Sequence, residues 1–308
     1  MVAASIWVSL FASIAGARAS ICGTRADQTS LVSSKTARSQ LYGNPHSKRA
    51  DNTTVPLSVD VYMHIISPDG TKEEGHIDDA TISAQIDILN NAFQPVGFKF
   101  KLVDTTRTVN EYWYYNLREG FSVESEVGLA LRKGDFAALN VYTMGTVNTT
   151  ESAWATLPAS HVGYDGVFQN NTVFLGGSSP IYTAGITLVH EVGHWFGLYH
   201  PFNFGCAVSY DYVADTPNQQ APLAQGGCPI GLDSCPDQPG LDSIHNYMSY
   251  TTDQCRNEFT PGQIQRMREQ VALHRGLIYP GIDVNNIPED RVEIPPPEDT
   301  EATTSRKD

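Results

Sequence analysis

Residues 187 to 202, TLVHEVGHWFGLYHPF, place three histidines and a glutamate within eleven positions of a chain that has only nine histidines. The segment from Ile186 carries Leu188, Val189, Val192, Trp195 and Phe196 at helical spacing, so His190 and His194 stand at i and i+4. That spacing sets both imidazoles on one helix face about a turn apart, where both reach one ion. Gly197 supplies the backbone freedom to end the helix sharply, and beyond the bend His200 turns back toward the same point. Three neutral imidazoles with a fourth position left for water describe a catalytic zinc, since structural sites are closed by four protein ligands. Glu191, beside the first histidine, is placed to take a proton from the bound water and hand it to a leaving group. A surface helix with chance histidines is the competing reading, and at roughly one in twenty per position five fixed identities in this window argue against it.

The elements around this helix define the fold class. VPLSVDVYMHII (55 to 66) alternates apolar and polar residues and predicts a half-buried strand. ATISAQIDILNNAF (80 to 93) predicts an amphipathic helix through Ile82, Ile86, Leu89 and Phe93. FKFKLVD (98 to 104) predicts a strand, VESEVGLALRKG (123 to 134) a helix, and FAALNVYTMG (136 to 145) and GVFQNNTVFLGG (166 to 177) two further strands. The order implies an α+β protein with an α/β-like mixed sheet. The 166 to 177 strand is expected at the edge, where an extended substrate adds by β-pairing; an ordinary solvent-exposed edge is the alternative. FTPGQIQRMREQVALHRGL closes the folded part as a helix with Thr260 as N-cap, Pro261 at the first position, Gln263 completing a capping box, Ile264, Met267 and Val271 buried, and Gly276 as the stop.

The termini read differently. Residues 1–19 have an apolar stretch from Ile6 to Ile14 and small Ala17 and Ala19, a signal peptide cut before Ser20, too short an apolar run to span a bilayer. Residues 20–49 are basic and end in the dibasic Lys48-Arg49, the mark of a pro-segment removed by a processing protease. The remainder holds the acidic excess behind a formal net charge of −14, which speaks against nucleic acid and membrane partners. Residues 50–280 form the catalytic domain, with an upper subdomain to about 197 and a lower one over 198–280. Residues 281–308, rich in proline and acids, read as a disordered tail.

Five cysteines fit secretion. Cys206, Cys228, Cys235 and Cys255 cluster after the zinc helix and predict two disulfides, with three pairings open; a structural zinc site is the alternative, disfavoured in an oxidising compartment. Cys22 is left over in the pro-segment. An unpaired thiolate is a strong zinc ligand, so a pro-segment looping into the cleft fills the fourth position with Cys22 and excludes water. The sequons at Asn52, Asn148 and Asn170 suit a glycosylated secretory protein. His64, His76, His161, His245 and His274 read as structural or surface residues.

The string H-E-x-x-H-x-x-G-x-x-H resembles the metzincin zinc endopeptidases. HNYMSY (245 to 250) resembles their Met-turn, which implies Met248 as a hydrophobic floor beneath the zinc and Tyr250 as a catalytic group stabilising the oxyanion. Within that clan HEVGHWFGLYH, DYVADTP (211 to 217), NYMSYTTDQC (246 to 255) and FTPGQIQRM (259 to 267) resemble the pappalysin family, in particular its compact fungal secreted members, over roughly residues 55 to 275. That resemblance implies crossed disulfides, Cys206 with Cys235 and Cys228 with Cys255. It also implies a cysteine switch at Cys22, of whose motifs ICGTR retains only Cys-Gly, and a calcium ion held by Asp211, Asp215 and the carbonyl of Thr216. The expected function is a secreted, monomeric zinc endopeptidase made as a zymogen and acting on extended peptides and proteins. An inert secreted zinc-containing binding protein or adhesin is the alternative, against which the retained Glu191 stands.

Overall fold

The computed structural model describes residues 20–22, 24, 55–71, 74–145, 151–160, 162–203, 205–206, 211–220 and 227–287. Residues 1–19, where a signal peptide is expected, Lys48-Arg49, Asn52, Asn148, His161 and residues 288–308 lie outside them, and so do the expectations placed there.

The strands are β1 (Ser20–Cys22), β2 (Leu57–Ser67), β3 (Phe98–Val109), β4 (Leu139–Met144), β5 (Glu151–Ala155) and β6 (Val167–Asn170). They form one sheet in the order β1-β5-β6-β4-β2-β3, parallel throughout except for the antiparallel β5–β6 pair. This is the mixed sheet of an α+β protein. Its faces are covered by different helices. On one side, α1 (Asp79–Phe93), α4 (Ile186–Trp195) and α5 (Pro261–Arg275) share a core with Val59, Val61, Met63 and Ile65 of β2. On the other, Tyr114 of α2 (Glu111–Asn116) and Val123 and Val127 of α3 (Ser122–Leu131) pack with Ile66, Tyr142, Met144 and Phe168. Strand β4 is buried at every residue because its alternating side chains, Leu139 and Val141 against Tyr142 and Met144, enter the two cores in turn.

Helix α1 starts where Asp78 Oδ1 accepts from Thr81 N at 2.8 Å. Its Ile82, Leu89 and Phe93 are fully buried, worth about 1.5–3 kcal/mol each against exposure. Strand β3 runs to Val109 rather than stopping at 104 because β2 pairs with it along its whole length. Helix α3 stops at Leu131, earlier than its sequence pattern: Arg132 leaves helical geometry, and its guanidinium donates to Gly134 O and Asp135 O.

The 166 to 177 expectation fails in two ways. Only Val167–Asn170 is strand, because the Asn170 Oδ1 accepts from Thr172 N and Oγ1 and turns the chain into a short 3-10 helix. That strand is also interior, between β4 and β5. The strand with an edge near α4 is β5, and β1 lies along that edge.

After α4 the chain makes few regular elements and is fastened covalently. Cys206 is joined to Cys235 and Cys228 to Cys255, the crossed pairing. Helix α5 has the expected capping box of Thr260 and Gln263, Pro261 in the first turn and Gly276 at φ +69°. Its last residue, Arg275, binds Asp165 with both terminal nitrogens at 2.8 and 3.0 Å, donates from Nε to Trp195 O, and stacks 3.6 Å over the Trp195 ring. The end of α5 is thereby tied to the end of α4 and to the loop entering β6.

Candidate metal centre

Helix α4 begins after Gly185, at φ +79°, and the preceding Ala184 N is held by Asp253 Oδ2 at 2.7 Å. It ends in a Schellman arrangement: Gly197 N donates to His194 O at 2.8 Å and Leu198 N to Gly193 O at 3.0 Å, with Gly197 at φ +99°. A Cβ on Gly197 would lie 2.6 Å from the Cβ of Gln270 on α5, so both conformation and space require glycine there.

That bend brings the third histidine home. The Nε2 atoms of His190 and His200 are 3.2 Å apart, those of His190 and His194 3.2 Å, and those of His194 and His200 3.0 Å. His190 Nδ1 donates to Tyr247 O at 2.8 Å and His194 Nδ1 to Leu198 O at 2.7 Å, fixing the tautomer that leaves Nε2 as a lone pair. His200 is hydrogen-bonded by the Asn203 side chain and stacked on Phe202 at 4.6 Å. Lone pairs aimed at one point repel unless a cation sits among them. A tetrahedral zinc shell with Zn–N of about 2.0–2.1 Å sets its nitrogens about 3.4 Å apart, so the residues present fit that ion. Burial lowers all three imidazoles, His194 to about 4 and the other two well below their usual value, which favours the neutral, ligating form.

Glu191 is fully buried, and burial raises its carboxyl to about 8; a divalent cation at the imidazoles acts against this and favours the carboxylate. Its Oε1 has no hydrogen-bond partner among the described residues. Met248, also fully buried, lies under the helix: a Cβ on Gly193 would be 2.5 Å from its sulfur. The Met-turn is braced by Asn246, which accepts from Met248 N and pairs amide to amide with Gln263 at 2.7 and 3.0 Å. Tyr250 packs against His200 with ring centroids 5.1 Å apart.

Residues 22 and 24, near the N-terminus, enter the same centre. Cys22 Sγ and the three Nε2 atoms lie within 4.8 Å of one another, and the thiol is 3.5 Å from Glu191 Oε2. Burial, then the neighbouring Glu191, pushes the Cys22 thiol well up; a divalent cation at the imidazoles is the charge that reverses this. Tyr250 Oη donates to Cys22 O at 3.1 Å. Thr24, which drew no notice in the sequence, touches Cys22, Glu191 and β5. No local pattern marks it, because its partners Glu191 and Ala155 are more than a hundred residues away.

Other candidates are placed elsewhere. Asp215 accepts from Thr260 Oγ1 and Gly262 N at the start of α5, while Asp211 accepts from Val213 N and the Thr216 hydroxyl. Asn170 is buried, its Oδ1 spent on the turn. His64 bridges Thr106 and Asn140, and His245 Nδ1 meets Cys255 O. Cys228, His245 and Cys255 cluster, but both thiols are committed to the disulfide.

Comparison with known proteins agrees with this geometry. The family model described as pregnancy-associated plasma protein-A, peptidase M43, matches residues 133–272. An extracellular metalloprotease of Colletotrichum graminicola is 44% identical over 220 residues, 68% of this chain and 75% of that protein. One from Pyricularia oryzae is 43% identical over 223 residues, 71% and 76%. Among solved structures, mature mirolysin of Tannerella forsythia in complex with a cleaved peptide superposes with a TM-score of 0.59 at 26% identity, over 73% of this chain and 96% of that one. Promirolysin from the same organism, at 24% identity and a TM-score of 0.62, shares the fold over 84% of this chain and 97% of its own. With a three-histidine centre on an α+β scaffold and relatives of this identity and coverage, the chain belongs to the pappalysin family, peptidase M43, and is a metalloendopeptidase.

Proposed function

We propose that this chain is a secreted zinc endopeptidase produced as a latent precursor, in which His190, His194 and His200 hold the ion and Glu191 is the general base. The convergence of three Nε2 atoms within 3.2 Å, two of them with Nδ1 tied to backbone carbonyls, carries the reading. When bound, the zinc supplies Lewis acidity, lowering the pKa of a ligated water from about 15.7 to about 7 and polarising the scissile carbonyl. Glu191 accepts the proton of the attacking water at its carboxylate and returns it to the leaving amine. Tyr250, whose hydroxyl reaches Cys22 O at 3.1 Å, is placed to donate to the oxygen of a substrate carbonyl entering the same space. The β5 edge orients an extended peptide by main-chain hydrogen bonds.

In the precursor Cys22 stands where the fourth ligand belongs, and residues 20–22 cover the β5 edge. Trimming at Lys48-Arg49 frees both. The disulfides and the extracellular relatives support secretion. The test is hydrolysis of casein by the trimmed protein, with and without a chelator, beside Glu191→Ala. Activity should vanish in both and return on adding zinc to the chelated wild type. Hydrolysis that survives chelation and the substitution would sink the mechanism.

A further inference from the structure

The thiol is not the only pro-segment group seated on the catalytic machinery. Strand β1 runs parallel to β5, with Ser20 opposite Glu151 and Cys22 opposite Ala153. Two residues further on, where the next rung falls at Ala155, the hydrogen bond comes from a side chain: Ala155 N donates to Thr24 Oγ1 at 2.8 Å. The same hydroxyl oxygen lies 3.3 Å from Glu191 Oε2 and 3.4 Å from Ala155 O. A hydroxyl has one proton to give, and the carboxylate is the stronger acceptor of the two. Thr24 N completes the arrangement by donating to Cys22 Sγ at 3.3 Å. All of this is buried; Thr24 is 9% exposed.

We propose that Thr24 is an inhibitory residue in its own right, whose hydroxyl holds the Glu191 carboxylate and caps the Ala155 N–H, so that latency survives in part without the Cys22 thiol. This rests on the latent-precursor reading above. The physical reason is a division of labour. Bound to the ion as a thiolate, Cys22 Sγ blocks the position of the attacking water but has no proton to give to Glu191 Oε2, 3.5 Å away. It also leaves the last amide of the β5 edge available. The Thr24 hydroxyl takes both at once, donating to the carboxylate as the attacking water would and accepting from the amide as a substrate carbonyl would. Valine has nearly the same shape and neither function. Serine keeps both. Because Cys22 and Thr24 share one short segment, removal of the pro-segment lifts both together.

The test uses the full chain with Lys48→Ala and Arg49→Ala to keep it uncut, loaded with zinc and verified by intact mass through the assay. Hydrolysis of a quenched fluorescent peptide is compared for this parent and for Thr24→Val, Thr24→Ser, Cys22→Ser and Cys22→Ser/Thr24→Val. Thr24→Val should raise the activity of the uncut chain at least tenfold, Thr24→Ser should stay silent, and the double variant should exceed Cys22→Ser by at least tenfold. Residue 24 departs with the pro-segment, so equal kcat/KM for wild type and the Thr24 variants made with Lys48-Arg49 intact and then trimmed establishes that the catalytic domain is folded alike. If Cys22→Ser is active and Thr24→Val changes neither background by more than twofold, the Thr24 proposal is wrong and the latency reading stands. If the uncut parent is as active as Cys22→Ser, the latency reading itself is wrong.

Discussion

Gly197→Ala tests whether the bend after α4 is what delivers the third ligand. At φ +99° an L-residue is strained by roughly 1–2 kcal/mol. The new methyl would sit 2.6 Å from the Cβ of Gln270. That atom is next to the backbone of α5 and cannot swing aside, so overpacking adds about 1–3 kcal/mol. Against these stands a gain of about 0.4–1 kcal/mol from a stiffer unfolded chain. The strain terms win, leaving a loss of about 1–4 kcal/mol in the metal-free protein. A second effect follows if the chain relieves the clash by moving the bend. His194 Nδ1 is fixed by Leu198 O and His200 lies two residues further on, so the imidazoles lose their common focus and zinc affinity should fall at least the 10–100-fold seen when a ligand's supporting hydrogen bond is removed. Urea unfolding of trimmed protein, with chelator and then with zinc well above both dissociation constants, separates the two. A hundredfold weaker site adds about 2.7 kcal/mol to the deficit in zinc. A variant matching wild type in both series would refute the reasoning.

Three further outcomes follow from buried chemistry away from the zinc. Burial lowers His64 to about 4, below its ordinary 6.5, so its contribution is complete above about pH 6.5 and is lost as pH falls toward 4; His64→Gln should therefore lose about 2–3 kcal/mol less than wild type between pH 7 and 4.5 in chemical denaturation, and equal pH slopes would contradict this. Arg275→Met strands Asp165 without its bidentate partner and should cost about 3–5 kcal/mol, whereas Asp165→Asn/Arg275→Met should cost less than the single change; urea midpoints decide. Cys235→Ser opens a loop spanning 29 positions and should lower stability by about 3–4 kcal/mol, read as a drop in Tm of the oxidised protein but not of the reduced one.

What the sequence made legible divides along a physical line. The centre was readable because a metal imposes its own spacing: i and i+4 on a helix, then a glycine able to turn the chain, hold whatever surrounds them. Helix α5 was readable to the residue because Thr260, Gln263 and Gly276 act through bonds within a few positions of themselves. Strand β6 misled because GVFQNNTVFLGG keeps its apolar alternation past the point where Asn170 bonds Thr172 and ends the extension; a local side-chain bond defeated a periodic pattern. Helix α2 was missed because EYWYYN has no apolar period, and it owes its start to the Asn110 side chain accepting from Trp113 N at 3.0 Å.

The least legible feature is also the most consequential. Strand β5 is only five residues, ESAWA, and nothing local marks it as the edge beside the zinc helix. Its place follows from the sheet as a whole, with β6 on one side and β1 on the other. Cys22 alone suggested a ligand, since a thiolate seeks zinc wherever it is. That residues 20–22 and 24 also occupy a strand position, a general base and a tyrosine hydroxyl required contacts spanning 131 to 228 positions. The proposed latency holds only while the strand is paired: each contact alone is weak, and they hold because one short segment makes them together. A cut far from the centre can therefore release it, since the segment loses its attachment at one end and with it the low entropic cost of staying in place.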